Sequence, residues 1–288
     1  MVVPPADWAT IEAGLGQRMR LIEAMLCDVY GPRLLIERGV LPPGIVFDNP
    51  SFLRACAGWP RPVNNWISQF ATDVARDPSG QLTVMGDRTA APSGAGYALE
   101  NRIVMSRVMP DAFAACNVHR LASFFGSMRD GIASRARGDS PRVVLLSPGP
   151  YNETYFEHAY LARYLGYILA EGGDLTVRGE TVYLKTLGGL QQADAIVRRV
   201  DDDFADPVEL RSDSYLGVPG LLEAARARRI VIANAIGSAF AQTPALLAYL
   251  PHLSRELLGE ELLLPSVQTW WCGEASSLAH VLNHLHML

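Results

Sequence analysis

The sequence has almost no lysine. Of its 25 basic residues only Lys185 is one, and the rest are arginine. A skew this complete is explained by a GC-rich genome rather than by selection for guanidinium chemistry. Positive charge is not in excess either. The formal net charge is −5, which gives no electrostatic reason to expect nucleic acid or an anionic membrane as partner. No apolar run approaches the ~18 residues that span a bilayer, and MVVPPADWATIEAGL shows neither the basic nor the apolar region of a signal peptide. Cys27, Cys56, Cys116 and Cys272 are too scattered for a disulfide framework or a zinc site, so the chain reads as reduced and cytoplasmic. Charged residues make up only 19% and hydrophobic ones 49% of the 288 residues, enough for a sizeable core and too apolar for disorder.

Several chemistries are missing as well. There is no Gly-Lys-Ser/Thr ending of a Walker loop, no G-x-S-x-G elbow, and no glycine fingerprint opening a dinucleotide-binding helix. His280 and His284 stand at i, i+4 but have no third ligand specified.

Two blocks carry the signal. VVLLSPGPYNETYFEHAYLARYLG (Val143 to Gly166) reads as a buried strand, a rigid Pro-Gly-Pro turn and a helix. Thr154 and Glu157 have capping-box spacing at that helix start. Asn152, Glu153, Glu157 and His158 therefore crowd a strand end and a helix N-terminus, where ligands of open α/β sheets bind. DRTAAPSGAGYALENR (Asp87 to Arg102) is the second block. Its Pro92-Ser93-Gly94-Ala95-Gly96 turn either wraps a phosphate with backbone N–H groups or is simply a tight turn. Glu100, Asn101 and Arg102 follow on a helix, in reach of an anionic ligand or as a solvated face.

Around these blocks, Trp8–Tyr30 has helical apolar spacing, and the Pro-Gly-punctuated segment after it predicts a short helix and loops. Ile67–Arg76 and Gln81–Asp87 read as a hairpin around Asp77-Pro78-Ser79-Gly80. A plain two-residue turn places Asp73 on the face of Gly86; a turn with Gly80 left-handed places it with Met85 and Asp87. The second geometry, favoured by glycine's tolerance of positive φ, makes Asp73 and Asp87 a workable Mg²⁺ pair when phosphate oxygens complete it. Two solvated strand-end acids are the competing reading. Tyr97–Met109 and Val118–Arg135 are expected helices.

From Pro141 the pattern alternates: Val143–Leu146 strand, Tyr155–Ala170 helix, a Leu175–Arg178/Thr181–Lys185 hairpin, Ala195–Val200 strand, Pro219–Arg228 helix and Ile230–Ala233 strand. Helices Ala239–Tyr249 and Leu253–Leu258 follow. The fold class is α/β, a mixed α+β N-terminal part followed by a mostly parallel sheet. The expected division is 1–140, 141–260 and 261–288, with the first boundary in polar Arg137–Pro141. At the Ala195–Val200 strand end, alternation separates Arg198 and Val200 from Arg199 and Asp201. This end is either a substrate-binding Arg and carboxylate or a charged loop.

As a set, GLGQRMRLIEAMLCDVYGPR, the two blocks, RRVDDDFADP, LGVPGLLEA and LPSVQTWWCGE resemble the circularly permuted ATP-grasp type 2 family, related to glutathionylspermidine synthase, from about Trp8 to Glu274. The resemblance implies an enzyme that grips ATP and Mg²⁺, activates a carboxylate as an acyl phosphate and joins it to an amine. Its substrates are then a small-molecule carboxylate and amine, with no nucleic acid or membrane as partner. By resemblance Asp73 falls on a metal-ligand position, with Asp87 as a substitute metal ligand and Arg88 as a replacement cation; Ser93, Gly94, Asn101, Asn152 and Glu157 are the candidate nucleotide-contacting residues, and Arg102 and Arg199 the candidate catalytic cations. The pattern also departs from the family. Its Glu-x-Asn pair falls on Gly86 and Arg88, and the lysine and glycine-rich loop expected beyond Trp270–Gly273 are not in this chain. The chain therefore reads as a partial ATP-grasp architecture, truncated at both ends and either completed by a complementary chain or a non-catalytic binding or scaffold remnant. A small-molecule binder using the Pro148–His158 loop is a third expectation.

Overall fold

The computed structural model describes residues 3–59 and 66–287. They form two compact units: residues 3–59, 70–90 and 237–287 in the first, and 66–69 and 91–236 in the second.

The first unit opens with α1 (Pro5–Val29), whose proline start suits a first turn that needs no N–H partner. Leu21, Ile22, Met25 and Leu26 are fully buried, whereas Trp8, counted on the apolar stripe, is exposed. The short helices α2 (Leu34–Glu37) and α3 (Pro43–Phe47) follow. Asp28 holds the start of α2 by accepting hydrogen bonds from the Leu34 and Leu35 amides at 2.8 and 3.0 Å. Tyr30 centres an aromatic cluster, stacked on Phe52 at 5.0 Å and edge-on to Phe240 at 6.5 Å.

Strands β1 (Ala71–Arg76) and β2 (Leu82–Arg88) pair antiparallel. Their turn is the left-handed one: Gly80 has φ +88°, the Asp77 carbonyl accepts from the Gly80 amide, and the Asp77 amide donates to the Gln81 carbonyl. A second irregularity between Asp73 and Val74 then shifts the register, so Asp73 faces Gly86 and Asp87 faces Thr72. One bulge undoes the other. The two aspartates end on opposite faces of the hairpin.

The second unit begins with helices α4 (Ala95–Val108), α5 (Pro110–Ala115) and α6 (Ala122–Ala133). Strand β3 (Val143–Leu146) leads through α7 (Tyr155–Leu165) to β4 (Ile168–Ala170). The expected Tyr155–Ala170 helix stops early because Gly166 takes a left-handed C-terminal position at φ +74°. Strands β5 (Leu175–Arg178), β6 (Thr181–Thr186) and β7 (Gly189–Gln192) form a separate antiparallel sheet. Then come β8 (Ala195–Arg198), α8 (Leu221–Arg226) and β9 (Val231–Ala233). The main sheet has order β4-β3-β8-β9 and every pairing in it is parallel, as the alternating pattern implied. Val143, Leu145, Ala195, Val197, Val231 and Ala233 share one face and pack against Leu99 of α4, Phe125 and Ile132 of α6, and Leu161 and Leu165 of α7. Each of the Val, Leu, Ile and Phe side chains among them contributes roughly 1.5–3 kcal/mol by leaving water. The segment Arg137–Pro141 lies inside this unit.

The chain then returns to the first unit. Residues expected as one helix from Ala239 are two 3-10 stretches, Ser238–Gln242 and Pro244–Ala248, with Pro244 interrupting the α pattern. Helices α9 (Leu250–Leu258) and α10 (Ala275–His284) follow. Between them, Ser266 bridges Val84 and extends the β1–β2 hairpin.

Candidate functional site

From β3 the chain crosses to β4 on one side, while β8, on the other side of β3, leads to β9. The gap between the carboxyl ends of β3 and β8 is thus a topological switch point. Ser147 and the Pro-Gly-Pro turn leave β3 there, and Arg199 leaves β8 there.

Glu157 organises this position. It is fully buried on the first turn of α7. Its carboxylate accepts hydrogen bonds from the Gly94 amide at 2.8 and 3.0 Å and from the Gly96 amide at 2.8 Å. The expected Thr154/Glu157 capping box is therefore not formed, and the helix start has no side-chain cap. The glycine-rich turn is shaped for this contact. Gly94 has φ +109°, and a Cβ on Gly96 would lie 2.8 Å from Glu157 Cγ. The backbone amides that sequence offered to a phosphate hold a protein carboxylate instead.

Arg199 belongs to the same cluster. It is 6% exposed and donates through Nη1 to the Pro92 carbonyl at the head of that turn. Its Nε and Nη2 have no hydrogen-bond partner among the described residues. Burial lowers its pKa from the usual guanidinium value, the Glu157 carboxylate opposes that shift, and Arg198 adds to it. Neighbouring Arg198 is occupied elsewhere, by an ion pair with Asp202 and a bond to the Val200 carbonyl. A buried guanidinium with two idle donors, beside a strand end, fits an anionic group.

Asn152, Thr154, Ser147 and His158 form a second chain of contacts. Asn152 Oδ1 accepts from the Thr154 amide (2.9 Å) and hydroxyl (2.7 Å). With its proton spent on Asn152, the Thr154 hydroxyl accepts from His158 Nε2 at 3.0 Å. His158 Nδ1 then accepts from Ser147 Oγ at 3.0 Å, which in turn accepts from the Gly149 amide at 3.1 Å. Burial, then the Arg199 guanidinium, holds the His158 pKa down to about 4. The imidazole is a neutral strut at pH 7.

This has a measurable consequence. The folded value lies below the ordinary 6.5, so between the two the unfolded chain binds more protons. Stability from this group is complete above pH 6.5 and is lost as pH falls toward 4. Urea unfolding of wild type and His158→Gln should therefore show a stability gap that narrows from pH 7 to pH 4.5. A gap that stays constant over that range contradicts the neutral-strut assignment.

The other candidates are placed apart from this cluster. Arg102 donates to the His119 carbonyl at 2.8 Å, and Asn101 is exposed on α4. Ser93 precedes the Glu157-bound turn. Asp73 and Asp87 are not brought together. Asp87 accepts from Arg18 Nε at 2.8 and 2.9 Å and from Thr72 Oγ1 at 3.2 Å, in a pair whose side chains are 1% and 3% exposed. Asp73 is exposed and holds Arg88 at 2.7 Å. With each carboxylate matched by a guanidinium on its own face, these two residues as held do not fit a shared Mg²⁺ site. Among the described residues no group of three His, Cys, Asp or Glu side chains is placed to hold a metal. His280 and His284 stack on each other at 4.3 Å, with His280 against Trp270. The four cysteines form no disulfide among the described residues, and no described helix is long and apolar enough to cross a membrane.

Arg18 is the residue the sequence hides. It sits on the helical face of α1 among apolar neighbours, and only the tertiary pairing with Asp87 explains a buried arginine there.

The parallel α/β unit thus carries at its switch point a buried arginine with two donors unbonded among the described residues. The sequence places it further: the model of the family described as circularly permuted ATP-grasp type 2 matches residues 1–288, and the chain belongs to that family. It is similar to an uncharacterized protein of Mycobacterium tuberculosis, 41% identical over 290 residues, covering 100% of this chain and 33% of the relative. An uncharacterized protein of Synechocystis sp. is 38% identical over 286 residues, covering 99% of this chain and 60% of the relative. A second uncharacterized protein of Mycobacterium tuberculosis is 36% identical over 289 residues, covering 100% and 52%. The chain thus spans from about a third to three fifths of the length of these relatives.

Proposed function

We propose that this chain is part of an ATP-dependent carboxylate–amine ligase that works through an acyl phosphate. The observation that carries the reading is the family match over residues 1–288. The family generally uses ATP with Mg²⁺, and its chemistry concentrates negative charge at the transferring phosphoryl group, which buried cations stabilise. Arg199 supports this role: it is buried, and two of its donors are idle. The turn that opens at Pro92, whose carbonyl accepts from Arg199, positions that guanidinium. Asp73 and Asp87, each tied to an arginine, do not form a shared metal site as held.

That same pairing, with Glu157 seated on the Gly94 and Gly96 amides, favours a second reading: a scaffold that keeps the fold without the chemistry. Equilibrium binding of ATP in the presence of Mg²⁺ separates the two. The ligase reading predicts saturable binding, weakened about tenfold or more by Arg199→Met, the loss of one charge-assisted contact. No binding by a cooperatively folded chain selects the scaffold.

A further inference from the structure

The opposite end of the parallel sheet holds a feature that the switch-point cluster does not use. A cavity of about 190 Å³ opens beside the start of β8 and β9. Its walls are Arg135 and Arg137, just after α6, and Arg228 and Arg229, on the α8–β9 connection; Ile230 and Val231 form the floor. Asp194 is the only acid among its lining residues. The Asp194 carboxylate is already engaged, accepting from the Arg142 amide at 2.7 Å and from Gln192 Nε2 at 3.2 Å. Glu180 approaches Arg229 from outside, at 3.8 Å and in a solvent-exposed pair of little strength. Four arginines therefore line one small space with one carboxylate, in a chain whose net charge is −5, and of these Arg135 also donates through Nη1 to Ser68 Oγ at 2.9 Å.

Convergence of like charges is unfavourable unless an anion sits among them. Arg137 has neither a hydrogen bond nor an ion pair among the described residues. Arg228 is held at φ +57°, a backbone state that a long side chain rarely adopts. Guanidinium forks match the paired oxygens of phosphate and give it bidentate contacts. The Ile230 and Val231 side chains that complete the lining offer those donors no acceptor.

We infer that this cavity is a binding site for a phosphate-bearing small anion, distinct from the switch-point cluster at the other end of the strands. Its size suits one or two phosphoryl groups, and the ligand is free pyrophosphate or the phosphate tail of a nucleotide.

The test is calorimetric titration of the 288-residue chain with pyrophosphate and, separately, with ADP. Arg137→Ala/Arg229→Ala is the site variant, and Arg255→Ala, an exposed ion-paired arginine elsewhere, is the charge control. Circular dichroism checks that each variant is folded. The expected result is saturable one-site binding of pyrophosphate, weakened at least tenfold by the double variant and less than twofold by the control. Raising salt from 50 to 250 mM should weaken it further. Equal affinity for ADP assigns the site to phosphate alone, and tighter ADP binding that the double variant also weakens assigns it to a nucleotide tail. No saturable binding to either probe, or equal losses in the double variant and the control, overturns the inference.

Discussion

Replacing Glu157 by alanine is expected to lower the unfolding free energy by about 3–5 kcal/mol, as when one partner of a buried charged network is removed. Two backbone amides would lose their acceptor, and each buried donor left unsatisfied costs about 1–3 kcal/mol. Arg199, already short of partners, would lose the one carboxylate that opposes the fall in its pKa. Glu157→Gln keeps the shape and one acceptor oxygen, so its loss should be about half as large. Urea unfolding at pH 7 measures both. A Glu157→Ala loss below about 1 kcal/mol would mean that the glycine-rich turn is held by something else, because exposed side chains typically change stability by that little.

The second large effect is expected at Arg18 and Asp87. Removing either partner alone leaves a charge buried in the first unit, so Asp87→Ala and Arg18→Ala should each cost about 3–5 kcal/mol. Replacing both with apolar residues of similar volume, Arg18→Met with Asp87→Leu, removes both charges and should recover most of that loss. Ser266, which accepts from Arg18 Nη2 at 3.0 Å, limits the recovery. The double-mutant cycle reads the coupling directly. Coupling near zero would show that Asp87 does not depend on Arg18, and would return it to the pool of free carboxylates that a cation needs.

These two clusters show where sequence reasoning reaches and where it ends. Val143–Leu146 was legible because a short apolar run meets a Pro-Gly-Pro stop, and the Leu175–Arg178 hairpin because Gly179 supplies positive φ at its turn. The parallel sheet followed from apolar strands separated by helices. Strand β7, Gly-Leu-Gln-Gln, was not legible: it lies exposed at a sheet edge and carries no apolar alternation. The first hairpin was half legible. Gly80 took the predicted left-handed turn, but the irregularity at Asp73 depends on contacts that spacing does not encode.

At the site, the residue types were legible and their partners were not. Thr154 and Glu157 have the spacing of a cap, yet Glu157 turns to two amides 61 and 63 residues away along the chain. The Gly94–Gly96 turn read either as a phosphate cradle or as a tight turn, and its amides are held by the Glu157 carboxylate. Arg199 was singled out by its strand-end position, and its burial with idle donors is a tertiary property. Arg18 gave no signal, because a helix-face arginine is ordinarily solvated.

The central claim is that this chain supplies part of an ATP-dependent ligase. The direct measurement is ATP turnover by the chain mixed with a polypeptide carrying the remaining length of the Synechocystis relative, with hydroxylamine present to trap an acyl phosphate. The account predicts that ADP and hydroxamate form together only in the mixture with a carboxylate substrate, and that Arg199→Met abolishes both while the chain stays folded. A folded, co-eluting mixture that releases no ADP with any carboxylate and amine offered would contradict it, leaving the scaffold reading in its place.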